Sequence, residues 1–215
     1  IAAFMIIPNV EILKTVFMGE NGFSFEVVQK IINSDRAVRG VKNSLVLAIC
    51  LTITTTVVGV LEVLFLDFWK IKGTKFLQLC YMIPLVFGGI MLANGYLFTY
   101  GSKGYVTTVL TGIFPNMPTD WFSGFPAVLF LMTFACTTNY MIFFRNAFKS
   151  IDYQTVEAAR GLGASNFTVL KKIVLPTLKP MLLTCSILLF QTGLMAMSAP
   201  LLIGGRNFET ISPLI

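Results

Sequence analysis

Residues 44–68 read SLVLAICLTITTTVVGVLEVLFLDF, with two acids, Glu62 and Asp67, and no basic residue. About 20 consecutive, mostly apolar residues suffice to carry a helix across a bilayer, and a strand is far shorter than this run. Lipid offers no hydrogen bonds, so a segment of this kind has to satisfy its own backbone as a helix. Working outward, the runs 76–98, 125–148 and 181–203 share its character. The expected fold is therefore an all-α polytopic membrane protein. Composition agrees, since only 12% of the 215 residues are charged and mean hydropathy is +0.79. A soluble domain carries roughly 25% charged residues.

The same composition excludes several functions. The chain has no histidine, which removes imidazole bases, Ser-His-Asp nucleophiles and His-ligated zinc. Cys50, Cys80, Cys136 and Cys185 are widely spaced within apolar runs, so they read as small hydrophobes and not as a redox pair or metal site. High apolar content excludes disorder. The pI of about 9.2 does not indicate nucleic acid, because the basic residues fall in short links between spans. IAAFMII before Pro8 is too short to span and lacks signal-peptide features, and ISPLI closes the chain, so an internal piece of a longer polytopic protein is expected.

Loop charge sets the orientation. Lys70, Lys72 and Lys75 fill one link, and Arg145, Lys149, Arg160, Lys171, Lys172 and Lys179 mark another. These two links are expected in the cytoplasm. Residues 11–43, 99–124 and 204–215 are expected outside, with Phe25, Val28, Ile31 and Ile32 forming a short interfacial helix within 24–43. Small residues spaced by four, Thr52/Thr56, Thr55/Gly59 and Gly89/Ala93, suit close helix packing.

The link over 149–180 contains SIDYQTVEAARGLGASNFTVLKKIVLPTLKP, residues 150–180. Asp152 is placed to cap a first helix whose Ile151, Thr155, Ala159 and Leu162 share a face. Gly161 and Gly163 end it, and Ser165 caps a second helix with an apolar stripe of Phe167, Leu170 and Val174. Pro176 and Pro180 then punctuate the entry into the next span. A short amphipathic hairpin of this kind needs a cover, either lipid headgroups or a groove on another protein.

Glu157-Ala158-Ala159, three residues, Gly163, nine residues, Ile173, one residue and Leu175-Pro176 match the EAA signature in full. Seven such positions coincide by chance on the order of once in 10⁸ starts. In this the chain resembles the membrane subunits of type I binding-protein-dependent ABC importers. Asn43-Ser44-Leu45, Pro84, Ser198-Ala199-Pro200 and Gly204-Gly205 extend the resemblance over nearly the whole chain. It implies one permease domain over 1–215, partial at both ends of a six-helix bundle in the bacterial inner membrane. It also implies that Glu157, Ala158, Ala159, Gly163, Ile173, Leu175 and Pro176 form a cytoplasmic coupling hairpin gripped by a dimer of separate ATP-binding cassette subunits. A second permease domain and an external solute-binding protein are further implied partners. ATP and magnesium would belong to the ATPase, as no Walker A pattern occurs here; no catalytic residue, metal site or cofactor is expected in this chain.

Intramembrane polar groups mark the candidate pathway. Asn139, Gln191, Thr137 and Asn94 are its expected members, with Thr138, Thr192 and Ser198 nearby candidates. Glu62 is a further candidate, with a snorkelling or interface-paired carboxylate as the alternative reading. The Ser198–Gly205 stretch is most similar to permeases for ferric iron, with polyamine, thiamine, sulfate and phosphonate relatives close by. A secondary carrier or channel without an ATPase and a membrane scaffold recruiting a cytosolic protein are the competing functions.

Overall fold

The computed structural model describes residues 6–8, 10–11, 18–19, 22–23, 33–68, 73–149, 151, 153–205 and 208–214. Ser34 opens the first long helix by accepting from the amide of Ala37. That helix, α1, spans Asp35–Val63 and widens into a π-turn over Leu64–Phe68. Asp35 to Asn43 is thus continuous with the span and not a separate interfacial helix. Nothing between Ser34 and Ser44 stops a helix, and Gly40 is tolerated because it is buried. The rest of that expected helix, residues 24–32, lies outside the described residues, as do Lys70, Lys72 and Asp152. A two-residue antiparallel pair, β1 (Met18–Gly19) with β2 (Gly22–Phe23), is a minor departure from an all-helical chain.

Helix α1 is patterned for lipid. It buries Ser44, Thr55 and Glu62 while exposing Ile49, Ile53, Val57 and Leu61 at four-residue spacing. The hydroxyls of Thr52 and Thr54 return to carbonyls one turn back, so they do not face lipid as free donors.

The next expected span, 76–98, is broken. Helix α2 (Thr74–Val86) and helix α3 (Gly89–Tyr100) are separated by Phe87 and Gly88 in extended backbone, and the α2 axis meets that of the following segment to Ile113 at 117°. Pro84 has already removed one hydrogen bond there, and Gly88 leaves the helix without steric penalty. Helix α4 (Tyr105–Ile113) follows. Trp121 Nε1 donates to Thr107 Oγ1 at 3.0 Å, and Thr107 donates to the carbonyl of Tyr100, which fixes a cluster of rings from Tyr96, Tyr100, Trp121, Phe122 and Phe130.

Helix α5 (Gly124–Lys149) matches the expected third span. Helix α6 (Tyr153–Gly161) leads to α7, which runs from Asn166 to Leu194. A π-turn at Leu170–Val174 lies within α7, where the amide of Leu175 reaches the carbonyl of Leu170. Here the structure corrects the sequence reading. Pro176 and Pro180 do not punctuate the chain but sit inside one helix, and the fourth span ends at Leu194, with a separate helix α8 over Ser198–Ile203. The widened turn lies just before Pro176, where the ring would otherwise crowd the carbonyl four residues back. Length and composition make α1, α5 and α7 membrane-crossing helices, with the bent pair as a fourth crossing if it is one span.

The core lies among α1, α5 and α7. Leu47, Leu51 and Val63 meet Val128, Leu131, Tyr140, Phe144, Cys185 and Leu189. Close approach needs glycine at two points: a Cβ on Gly59 would lie 2.3 Å from the Tyr140 ring, and one on Gly193 would lie 2.5 Å from Cα of Ala48. Thr54 and Thr133 hydroxyls join α1 to α5 at 2.8 Å. Of the small-residue pairs, Thr55/Gly59 sits at this interface and Gly89 abuts Ser198, while Thr52 and Thr56 are half-buried.

At the end where α1 and α5 begin, the segment after α8 forms a strap. Arg36 donates two hydrogen bonds of 2.8 Å to the Glu209 carboxylate, and Asn43 donates to the Glu209 carbonyl. The Ile211 amide donates to Ser44, Thr210 donates to the Ala196 carbonyl, and Phe208 packs on Phe125. Those guanidinium hydrogen bonds hold the Glu209 carboxyl below the usual carboxylate range.

Two outcomes follow for thermal unfolding of the purified protein. Gly193→Ala forces backbone against backbone and lowers stability by about 1–3 kcal/mol. A carboxyl held low contributes stability at neutral pH that is lost as pH falls through its folded value; Glu209→Gln removes that acid-side loss, so its unfolding midpoint changes less than wild type below about pH 4.

Candidate functional site

The hairpin formed by α6 and the start of α7 carries the signature residues. Its turn is a complete glycine-terminated cap. Gly163 has φ +83°, its amide donates to the Arg160 carbonyl at 2.9 Å, and the Ala164 amide donates to the Ala159 carbonyl at 3.0 Å. Gly161 remains within α6 and outside the left-handed region, so Gly163 alone makes the turn. Ser165 caps α7 as expected, its side chain accepting from the Thr168 amide at 3.2 Å.

The residues read as two apolar faces divide between buried and exposed positions. Ile151, Val156, Val169, Val174 and Leu178 are buried in the bundle core, with Ala159, Leu170 and Ile173 half-buried beside them. Thr155 is exposed, Leu162 is 90% exposed and Phe167 is 70% exposed. Both helices carry apolar residues on two sides, so periodicity alone could not say which side turns inward. Two large apolar side chains therefore flank a polar turn and stand free of the bundle. The signal available in the sequence was their position on either side of the Gly163–Ser165 turn, Leu162 next to it and Phe167 one residue beyond Asn166.

Glu157 and Ala158 are exposed, Ala159 is half-buried, and Leu175 and Pro176 lie within the continuous α7. Within the link expected over 149–180, the residues from Asn166 onward are helical and continuous with the span that follows.

The polar intramembrane candidates divide. Gln191, Thr192 and Ser198 line one cavity of about 540 Å³, together with Cys136 and the thioethers of Met132, Met195 and Met197. Asn94 and Asn139 are exposed and do not line it, and Thr137 is fully buried, its hydroxyl donating to the Thr133 carbonyl at 2.6 Å. Thr138 is also buried and donates to the Tyr81 carbonyl. Glu62 does not snorkel: it is 6% exposed, and neither carboxylate oxygen has a partner among the described residues. The four cysteines are unpaired, and no three metal-ligating His, Cys, Asp or Glu residues come together among the described residues.

The pattern of the family described as "Binding-protein-dependent transport system inner membrane component" matches residues 73–214. The chain is 35% identical over its whole length to the probable ABC transporter permease protein y4fN of Sinorhizobium fredii. It is 27% identical over 97% of its length to the ferric transport system permease protein FbpB of Actinobacillus pleuropneumoniae. Identity to the spermidine/putrescine transport system permease protein PotC of Escherichia coli is 25% over 98% of the chain. The chain spans 38%, 30% and 76% of these three relatives. Its fold is similar to a chain of a bacterial alginate ABC transporter solved in complex with alginate pentasaccharide-bound periplasmic protein, with a TM-score of 0.72 at 18% identity over 97% of this chain and 75% of that one. The matched region takes in the hairpin and the spans on either side of it, and the chain belongs to the binding-protein-dependent transport system inner membrane component family, as a multi-pass membrane protein.

Proposed function

We propose that the chain is part of the membrane-spanning permease of an ATP-driven importer. An external binding protein delivers solute to it, a second permease domain completes the pathway, and a separate dimer of ATP-binding cassette subunits supplies the energy. The observation that carries this reading is the hairpin of α6 and the start of α7, which the reading places in the cytoplasm. Leu162 and Phe167 project from it beside exposed Glu157 and Ala158, and Gly163 holds the turn. Exposed apolar side chains next to a carboxylate and a small residue suit docking into a protein cleft, with Leu162 and Phe167 as anchors.

The second half of the hairpin is the first part of α7, and no linker separates it from the span. From Phe167 to Gln191 the helix rises about 36 Å at 1.5 Å per residue. Movement imposed on the hairpin therefore displaces the helix that carries Gln191 and Thr192 along the cavity wall. Coupling requires contacts that differ between two states, and a docked rigid helix provides them. The chain itself acts as a transport subunit, with ATP and magnesium held by its partner.

Ferric iron is the first choice of solute, supported by the Ser198–Gly205 resemblance and by similarity to ferric permeases, and polyamines are the second. Affinity of the cognate binding protein for each decides between them.

Replacing Leu162 and Phe167 together with Asp, or Glu157 with Arg, is expected to abolish co-purification of the ATPase and reduce uptake at least about tenfold, as loss of an interface anchor does. Thermal stability should change little because these side chains are exposed. Unchanged uptake in both variants would contradict the reading and favour a carrier that works without an ATPase.

A further inference from the structure

One wall of the cavity that holds Gln191 and Thr192 is a corner between two helices. Residues 195–199 all line it, and they join the end of α7 to the start of α8. Helix α7 is fixed just before this corner, because Gly193 lies against the backbone of Ala48. At the corner itself the helical ladder runs out, and the Ala196 amide reaches the Gly193 carbonyl only at 3.4 Å. The last carbonyls of a helix have no partner within it, and Ala196 is buried. Two contacts from other elements hold the corner. On one side Gly89 of α3 abuts Ser198, where an added Cβ would lie 2.8 Å from the hydroxyl oxygen. On the other side the Thr210 hydroxyl donates to the Ala196 carbonyl at 3.1 Å.

Thr210 is fully buried, and both of its neighbours are bonded to α1. The Glu209 carbonyl accepts from Asn43 at 2.9 Å, and the Ile211 amide donates to Ser44 at 2.9 Å. Outermost is the ion pair of Arg36 with the Glu209 carboxylate, whose side chains are 66% and 37% exposed. Direct contacts therefore run from an exposed ion pair, through the strap on α1, to a residue of the cavity wall. The end of the bundle that carries the strap is the one away from the hairpin, since Phe208 packs on Phe125 at the start of α5 and α5 leads to the hairpin at its other end.

We propose that Thr210 is a positioning residue for solute passage. Its hydroxyl holds the 195–199 corner in the shape that forms the cavity wall, and the Arg36–Glu209 pair seats the strap that carries it. The inference rests on the importer reading, which makes this cavity part of the solute route. Valine at 210 keeps the shape of threonine but leaves the Ala196 carbonyl without a partner in a buried site, so the corner yields; serine keeps the bond.

The test uses the complete transporter, with its ATPase and binding protein, in proteoliposomes. Cys136 lines the same cavity and is buried, so its thiol reports on the corner; Cys185 is buried in the core and does not line the cavity. Each is retained as the single cysteine in a separate background and labelled with N-ethylmaleimide. Thr210→Val is expected to quicken Cys136 labelling about five- to tenfold, the shift that losing one buried hydrogen bond produces, and to leave Cys185 unchanged. Uptake kcat/KM should fall by a similar factor, in whichever arm, ferric ion or putrescine, wild type transports. Thr210→Ser should stay near wild type in both readouts. Arg36→Glu should also quicken Cys136 labelling, and adding Glu209→Arg should return it towards wild type. The proposal is overturned if Thr210→Val or Arg36→Glu labels and transports like wild type, if Cys185 responds as Cys136 does, or if Ser and Val variants lose uptake alike. ATPase co-purification with wild type, scored in the same preparations, separates the two levels. Its absence breaks the importer reading itself, whereas its presence beside an unaffected Thr210→Val variant breaks only the role of Thr210.

Discussion

The close contact of α1 with α5 and α7 is the constraint from which the rest of the structure follows. In lipid there is no hydrophobic gain in bringing apolar helices together, so association depends on tight packing and on hydroxyl bonds between helices. Gly59 lets the Tyr140 ring lie on α1, Gly193 lets α7 touch the backbone of Ala48, and the Thr54–Thr133 bond locks the first pair. The outer face of α1 can then be isoleucine, valine and leucine because lipid is its solvent. This is the reverse of a soluble bundle, where the branched aliphatics would fill the interior.

Once these three helices are fixed, the two ends of the bundle differ in character. One end is held by polar contacts from Glu209, Thr210 and Ile211 to α1 and the end of α7. The other bears a hairpin whose inner side joins the core and whose tip does not. Helix α7 runs from the tip to Gln191 on the cavity wall.

Much of this was legible in the sequence. The span at 125–148, the Gly163 turn and the Ser165 cap follow from apolar length, left-handed backbone and side-chain capping, which are local rules. Three features were not. The break at Phe87–Gly88 falls inside an unbroken apolar run, where hydropathy has no contrast to report. Pro176 and Pro180 read as stops, yet the π-turn at Leu170–Val174 lets the helix continue past them, and that accommodation depends on packing. The inward face of the hairpin was not legible because it has apolar residues on two sides, and only the bundle decides that Val156 is buried and Leu162 exposed. Glu62 was visible as an acid in a span, but its lack of a partner is a property of the fold.

The central claim is that the hairpin tip is a handle gripped by another protein inside the cell. Thiol labelling tests it most directly, with Phe167→Cys in a background where Cys50, Cys80, Cys136 and Cys185 are replaced. Phe167→Cys should react with an impermeant maleimide only in inside-out vesicles, and the ATPase should shield it when bound. Labelling from the outside of intact cells, or reactivity indifferent to the ATPase, would contradict the account.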